Sequence, residues 1–198
     1  MQNLAKLSNI EELKKTLKSL ALLDSIIMPE WEYRYFSYNS KWDKSEEVAS
    51  MKNGEGDEYY LLFNERGVVG KVLMKNFHID DHLVQLNKIP KDFESFYKEV
   101  SFKLDSASFY FWYLVDKKQW KSTSLNFSDS SPLDFLTNGP AFYHKWAEEY
   151  YERKLDIKDI EKIFNYEPIS GKLLSKLSDN QVTLEDLEED LQEIGYGF

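Results

Sequence analysis

Two apolar runs, Asp57 to Phe63 and Val68 to Met74, stand on either side of Asn64-Glu65-Arg66-Gly67. Apolar runs of roughly 4–8 residues bounded by turn residues are strand signals, because an amphipathic helix needs a longer periodic segment. A short polar connection ending in Gly joins them, so the segment predicts a β-hairpin. Phe109 to Val115 and Trp120 to Leu125 predict a second hairpin around Asp116-Lys117-Lys118-Gln119. Two such hairpins require a sheet, and the rest of the chain must cover it.

The cover is helical. Ser8-Asn9-Ile10-Glu11 has the form of a capping box, and Ile10, Leu13, Leu17 and Leu20 follow at helical spacing. This predicts a helix from Ser8 to Ile27, stopped by Pro29. Between the hairpins, Pro90 to Val100 reads as one inserted helix, with Phe93, Phe96, Tyr97 and Val100 as its apolar face. Residues 126–138 shift to Ser, Asp, Pro and Asn and predict mostly loop, with a helical turn near Leu133 to Leu136.

Helical segments follow over Pro140 to Arg153, from an Asp156 N-cap to Phe164, and over Ser170 to Leu177. Thr183-Leu184-Glu185-Asp186 then opens a last helix, striped by Leu184, Leu187, Leu191 and Ile194 and stopped at Gly195. Trp31 to Tyr38 alternates, with Trp31, Tyr33 and Tyr35 on one face and Glu32 and Arg34 on the other, which predicts a strand. Residues 39–53 read as a polar connection. The order argues for an α+β fold: an antiparallel sheet built from hairpins, with an N-terminal helix, one inserted helix and a helical C-terminal region. One domain over 1–198 is expected, sheet-rich over 29–125 and helical over 132–198.

Composition narrows the function classes. Apolar residues make up 42% and aromatics 16%, enough for a core rich in large rings. The absence of Cys excludes disulfides, thiolate metal sites and a thiol nucleophile. No signal-like leader or long apolar stretch stands out, so a cytoplasmic protein outside the membrane is expected. The net charge of −10 repels phosphate backbones and argues against nucleic acid, despite the aromatic run from Trp31 to Trp42 with Arg34 and Lys41 interleaved. The same charge favours a basic protein partner.

Motifs for chemistry are sparse. There is no nucleophile elbow, phosphate loop or dinucleotide fingerprint, so catalytic residues and cofactors are expected to be none. His78 and His82, with Asp81 between them, have the i,i+4 spacing at which a helix presents two imidazoles to one divalent metal. No Glu follows His78 as a metalloprotease would require, and solvated loop histidines are the plainer reading. His144 has no local mark of a general base and reads as a surface or helix-packing residue.

The loop Asn53-Gly54-Glu55-Gly56-Asp57-Glu58 gathers three carboxylates without calcium-loop spacing. From Asp179 to Glu193 there are seven acidic residues and no basic one. Solvated faces explain both groups. If either is functional, Glu55, Asp57 and Glu58 in the loop and Glu185, Glu188 and Glu189 on the last helix are the contacts for a basic partner.

Four stretches carry a resemblance. They are Pro29 to Asp43 (PEWEYRYFSYNSKWD), Ser50 to Phe63 (SMKNGEGDEYYLLF), Trp146 to Glu152 and Glu193 to Tyr196. Together the chain resembles a family of uncharacterised bacterial proteins of about this size, over most of its length. That family has no assigned activity, so the resemblance implies no site residue. After Lys71 the chain departs from the family pattern, in which a Gly-rich stretch containing His and Glu follows the second strand.

Three functional expectations follow. The first is a protein-binding protein, such as an immunity-type inhibitor of a basic bacterial toxin. The second is a metal-binding module or metal-dependent enzyme using His78, Asp81 and His82. The third is a structural adaptor with an exposed aromatic patch.

Overall fold

The structure is a computed structural model and describes residues 4–77, 82–124 and 131–197. It opens with helix α1 (Ile10–Ile27), followed by strands β1 (Phe36–Asp43), β2 (Glu46–Lys52), β3 (Glu58–Asn64) and β4 (Gly67–Leu73). Short helices α2 (His82–Leu86) and α3 (Glu94–Lys98) come next, then β5 (Phe109–Leu114) and β6 (Gln119–Ser122). The chain ends in α4 (Asp134–Thr137), α5 (Gly139–Tyr150), α6 (Ile157–Phe164), α7 (Gly171–Ser178) and α8 (Glu188–Ile194). The strands form one sheet in sequence order, with every neighbouring pair antiparallel. The chain is therefore α+β, as the hairpin signals predict.

The sheet is covered on both faces. Phe36, Tyr38, Met51, Leu61, Phe63 and Phe111 point to α1 and the C-terminal helices. On the other face Tyr60, Leu62, Val69 and Trp112 meet Phe93, Phe96 and Phe102 from the β4–β5 connection. Double cover explains why β3 and β4 read as unbroken apolar runs. Sandwiched between the sheet and α6–α8, α1 is buried all round from Ser19 to Ile27.

The helix ends follow local chemistry. Asn9, one residue later than the capping box suggests, caps α1 by accepting the Glu12 N–H at 3.0 Å. Asp156 and Ser170 cap α6 and α7 in the same way. The inserted segment is not one helix. It is two 3₁₀ turns, Lys91–Phe93 and Val100–Phe102, on either side of α3. Its apolar face holds at Phe93 and Phe96, while Val100 is exposed.

The strand predicted over Trp31 to Tyr38 is corrected. Trp31–Tyr33 is a 3₁₀ turn, and β1 begins only at Phe36. Phe36 and Tyr38 are the residues that face the core, whereas Trp31 is 74% and Tyr33 57% exposed. The polar stretch after it holds the end of β1 and all of β2. These strands are poor in apolar residues because β1 is an edge strand, and Ser37 and Ser50 hydrogen-bond to each other on the solvent side at 2.7 Å.

An open sheet edge is an aggregation hazard unless it is covered. Here α8 covers β1. Ser40 Oγ donates to the Glu193 carbonyl at 2.8 Å, and Asn39 Nδ2 donates to Glu193 Oε1 at 3.3 Å. Arg34 clamps the other end, with Nη1 and Nη2 donating to the two Asp190 oxygens at 2.6 and 3.1 Å.

The β3–β4 turn depends on Gly67. Its φ is +149°, and a Cβ there would lie 1.9 Å from the Tyr113 carbonyl oxygen on β5. Gly67→Ala must therefore push two central strands apart, and an unfolding titration is expected to show a loss of about 1–3 kcal/mol.

Candidate functional site

The acidic residues singled out in the glycine loop separate into different roles. Glu55 is exposed. Asp57 organises the loop: Oδ1 accepts the Lys75 N–H at 2.7 Å and Oδ2 accepts from Asn53 Nδ2 at 3.1 Å. Asn53 Oδ1 in turn accepts the N–H groups of Glu55 and Asp57, each at 2.9 Å. Glu58 faces inward and accepts from the buried Lys71 Nζ at 2.8 Å. The loop thus presents Glu55 outward while its other two carboxylates hold the fold.

The acidic residues of the last helix stand differently. Thr183 and Asp186 make the reciprocal box the sequence suggests: Asp186 Oδ2 accepts the Thr183 N–H at 2.8 Å and Thr183 Oγ1 accepts the Asp186 N–H at 3.3 Å. The α-helical turn pattern begins later, at Glu188. Asp190 is therefore in the first turn, where the helix dipole favours an acid.

Glu185, Glu188 and Glu189 are exposed, and none has an ion-pair partner among the described residues. Glu185 and Glu188 rim a shallow groove of about 660 Å³ floored by Ile169, Leu184, Leu191 and Tyr196. Leu184 is 46% exposed there. The groove is apolar inside and acidic at its edge.

A second concavity, of about 520 Å³, lies where the start of β1, the glycine loop and α4–α5 converge. Its walls carry the rings of Tyr35, Phe77, Phe135, Phe142 and Trp146. Phe135 meets Trp146 and Phe142 edge-on, each at 5.1 Å between centroids, and Tyr35 lies 4.7 Å from Trp146. Asp57 and Asp134 are the acidic lining residues, and Ser131 donates its N–H to Asp134 Oδ2 at 3.1 Å. Burial pushes the Tyr35 hydroxyl up to about 12, with Tyr150, Glu55, Asp24 and Asp57 adding to the shift. The wall of this cleft therefore sits in a negative field. Sequence reasoning missed it because its rings come from positions far apart in the chain.

Behind that wall lies Asp24 of α1, fully buried. Its Oδ2 accepts the N–H groups of Tyr35 and Phe36 at 2.6 and 3.0 Å. Its Oδ1 accepts the hydroxyls of Tyr143 and Tyr151 at 3.1 and 3.0 Å. Burial raises its carboxyl to about 6, and the four donors pull in the opposite direction without cancelling that cost.

His78 and Asp81 lie outside the described residues, as does the side chain of His82, whose backbone opens α2. Among the described residues no group of three His, Asp or Glu side chains is arranged to hold a metal ion. His144 takes the packing role read from the sequence: its Nε2 is 2.8 Å from the Leu155 carbonyl and ties α5 to the turn before α6.

Among the described residues no helix is long and apolar enough to cross a membrane. Comparison with protein-family models, with curated proteins and with solved structures gives no match.

Proposed function

We infer that this chain is a protein-binding protein whose α8 face docks a basic partner, in the manner of an immunity-type inhibitor of a basic bacterial toxin. The carrying observation is the groove of Ile169, Leu184, Leu191 and Tyr196, rimmed by Glu185 and Glu188 with Glu189 beside them. An apolar floor supplies the desolvated centre an interface needs, and a rim of one charge selects and orients the partner. The rest of the chain's acidic excess acts at longer range. A net charge of −10 accelerates encounter with a cationic protein and weakens with added salt. Of the loop acids, Glu55 is the one whose carboxylate remains available for such steering.

The test uses two baits, the wild-type chain and Glu185→Lys/Glu188→Lys/Glu189→Lys, against lysate of the host cell at low and moderate salt. A basic protein is expected on the wild-type bait, diminished by salt and absent from the variant. With that partner purified, the triple reversal should weaken Kd by roughly a hundredfold or more, mostly through slower association. Addition of equimolar wild-type chain should suppress the partner's toxic activity. Equal retention of the same partner on both baits overturns the assignment of the α8 face. A partner whose activity is unchanged by the chain overturns the inhibitor reading.

A further inference from the structure

We propose that the aromatic cleft between the glycine loop and α4–α5 is a second binding site, for a small organic cation with an apolar body such as an arylalkyl ammonium. The proposal does not rest on the α8 face, and the two sites share no lining residue.

Three observations carry it. The first is size: about 520 Å³ is within the range of small-molecule pockets, which runs from roughly 300 to 1,000 Å³. The second is the wall. Tyr35, Phe135, Phe142 and Trp146 line the cleft and pack against one another at tilted or edge-on angles. Ring faces are electron-rich and attract a cation held over them. Met51 and Met74 add a polarizable apolar floor.

The third observation is charge. Asp57 and Asp134 lie in the lining, and no Lys, Arg or His is among the described lining residues. Both carboxylates are held by backbone donors, Asp57 by the Lys75 N–H and Asp134 by the Ser131 N–H, so they are already oriented before a ligand arrives. Glu55 and the buried Asp24 add to the negative field on the Tyr35 side. An anion of the same shape would be repelled by Asp57 and Asp134. A neutral molecule would gain only the apolar contact. A cation gains the ring quadrupoles and the carboxylates together.

The experiment titrates the full chain, labelled at the methionine methyl groups, with three probes of similar shape: benzyltrimethylammonium, benzyl alcohol and phenylacetate. Met51 and Met74 report from inside the cleft, while Met28 at the end of α1 serves as an outside reference. The ammonium probe should give saturable shifts at Met51 and Met74, with a Kd about tenfold below that of the alcohol, and phenylacetate should bind more weakly still. Asp134→Asn, whose amide oxygen still accepts the Ser131 N–H, should weaken the ammonium probe by about fivefold and leave the alcohol unchanged.

Comparable affinities for the cation, the neutral and the anion in the wild-type chain overturn the proposal without recourse to any variant. So does an absence of shift at Met51 and Met74 up to the solubility limit of the ammonium probe. Glu185→Lys/Glu188→Lys/Glu189→Lys should bind the ammonium probe as the wild type does, which separates failure of this site from failure of the α8 face.

Discussion

Asp24→Ala is expected to lower stability by about 3–5 kcal/mol, with Asp24→Asn costing far less. The alanine leaves four donors without an acceptor in the core: the N–H groups of Tyr35 and Phe36 and the hydroxyls of Tyr143 and Tyr151. These donors come from the entry to β1 and from α5 with the residue that ends it, so one side chain ties α1 to both. In the asparagine, the amide oxygen still accepts both backbone N–H groups. Its amino group donates to phenol oxygens, which can turn to accept. Urea unfolding of the three proteins separates the lost acceptor from the lost charge.

The same residue gives a signed pH dependence. Burial raises the Asp24 carboxyl from 3.8 to about 6, so the folded chain binds this proton more tightly than the unfolded one does. Its contribution to stability is full below about pH 4 and is lost as pH rises through 6, a change on the order of 3 kcal/mol. Carboxylates held down by lysines, such as Glu47 by Lys14 and Asp159 by Lys162 and Lys176, act in the opposite sense. The wild-type curve alone mixes these effects. The difference between wild type and Asp24→Asn isolates Asp24: the asparagine should gain relative stability from pH 4 to pH 7. A pH-independent difference would mean that the carboxyl is not destabilised by its burial.

Much of this architecture was legible in the sequence where one local cause sufficed. The β3–β4 hairpin was readable because both faces of each strand are covered, so apolar residues crowd the run regardless of phase. Asp156 announced α6 because an N-cap is a local bargain between one side chain and the next turn. β2 was not readable, since Glu46–Lys52 buries only Val48, Ala49 and Met51. β1 was misplaced because the ring alternation from Trp31 to Tyr38 spans a 3₁₀ turn and a strand of the opposite phase.

The aromatic cleft depends on Tyr35 meeting Trp146 through tertiary packing, which no local period encodes. The inward Glu58 did have a signal. Lys71 stands inside an apolar strand run, and a buried ammonium demands a carboxylate from a neighbouring strand.

That lysine carries the second large expected effect: Lys71→Ala should cost about 3–5 kcal/mol. Lys71 is fully buried on the sheet face opposite α1, and its Nζ donates to Glu58 Oε1 at 2.8 Å and to the carbonyls of Phe102 and Lys103 at 2.8 and 3.1 Å. It also lies 5.6 Å from the centre of the Tyr60 ring. Burial pushes the ammonium down from its ordinary value, and Glu58 opposes that push. The carbonyls belong to the 3₁₀ turn Val100–Phe102 and the left-handed Lys103 that ends it, so this one side chain fastens the second-face cover to the sheet.

Alanine removes the fastening and leaves a cavity beside Tyr60. Lys71→Met keeps the stem and should recover part of the loss. A cycle pairing Lys71→Met with Glu58→Gln should show a coupling of about 1–3 kcal/mol, because each single change strands the other partner. Amide exchange locates the damage. In Lys71→Ala the amides near Val100–Phe102 and α3 should lose protection at low denaturant, while those of α1 and α6 open only with the whole chain. Uniform loss of protection would place Lys71 in the global core instead. In either case a Glu58 charge reversal unseats Lys71, so lost binding in that variant reports on the fold, and only Glu55 in this loop can test contact with a basic partner.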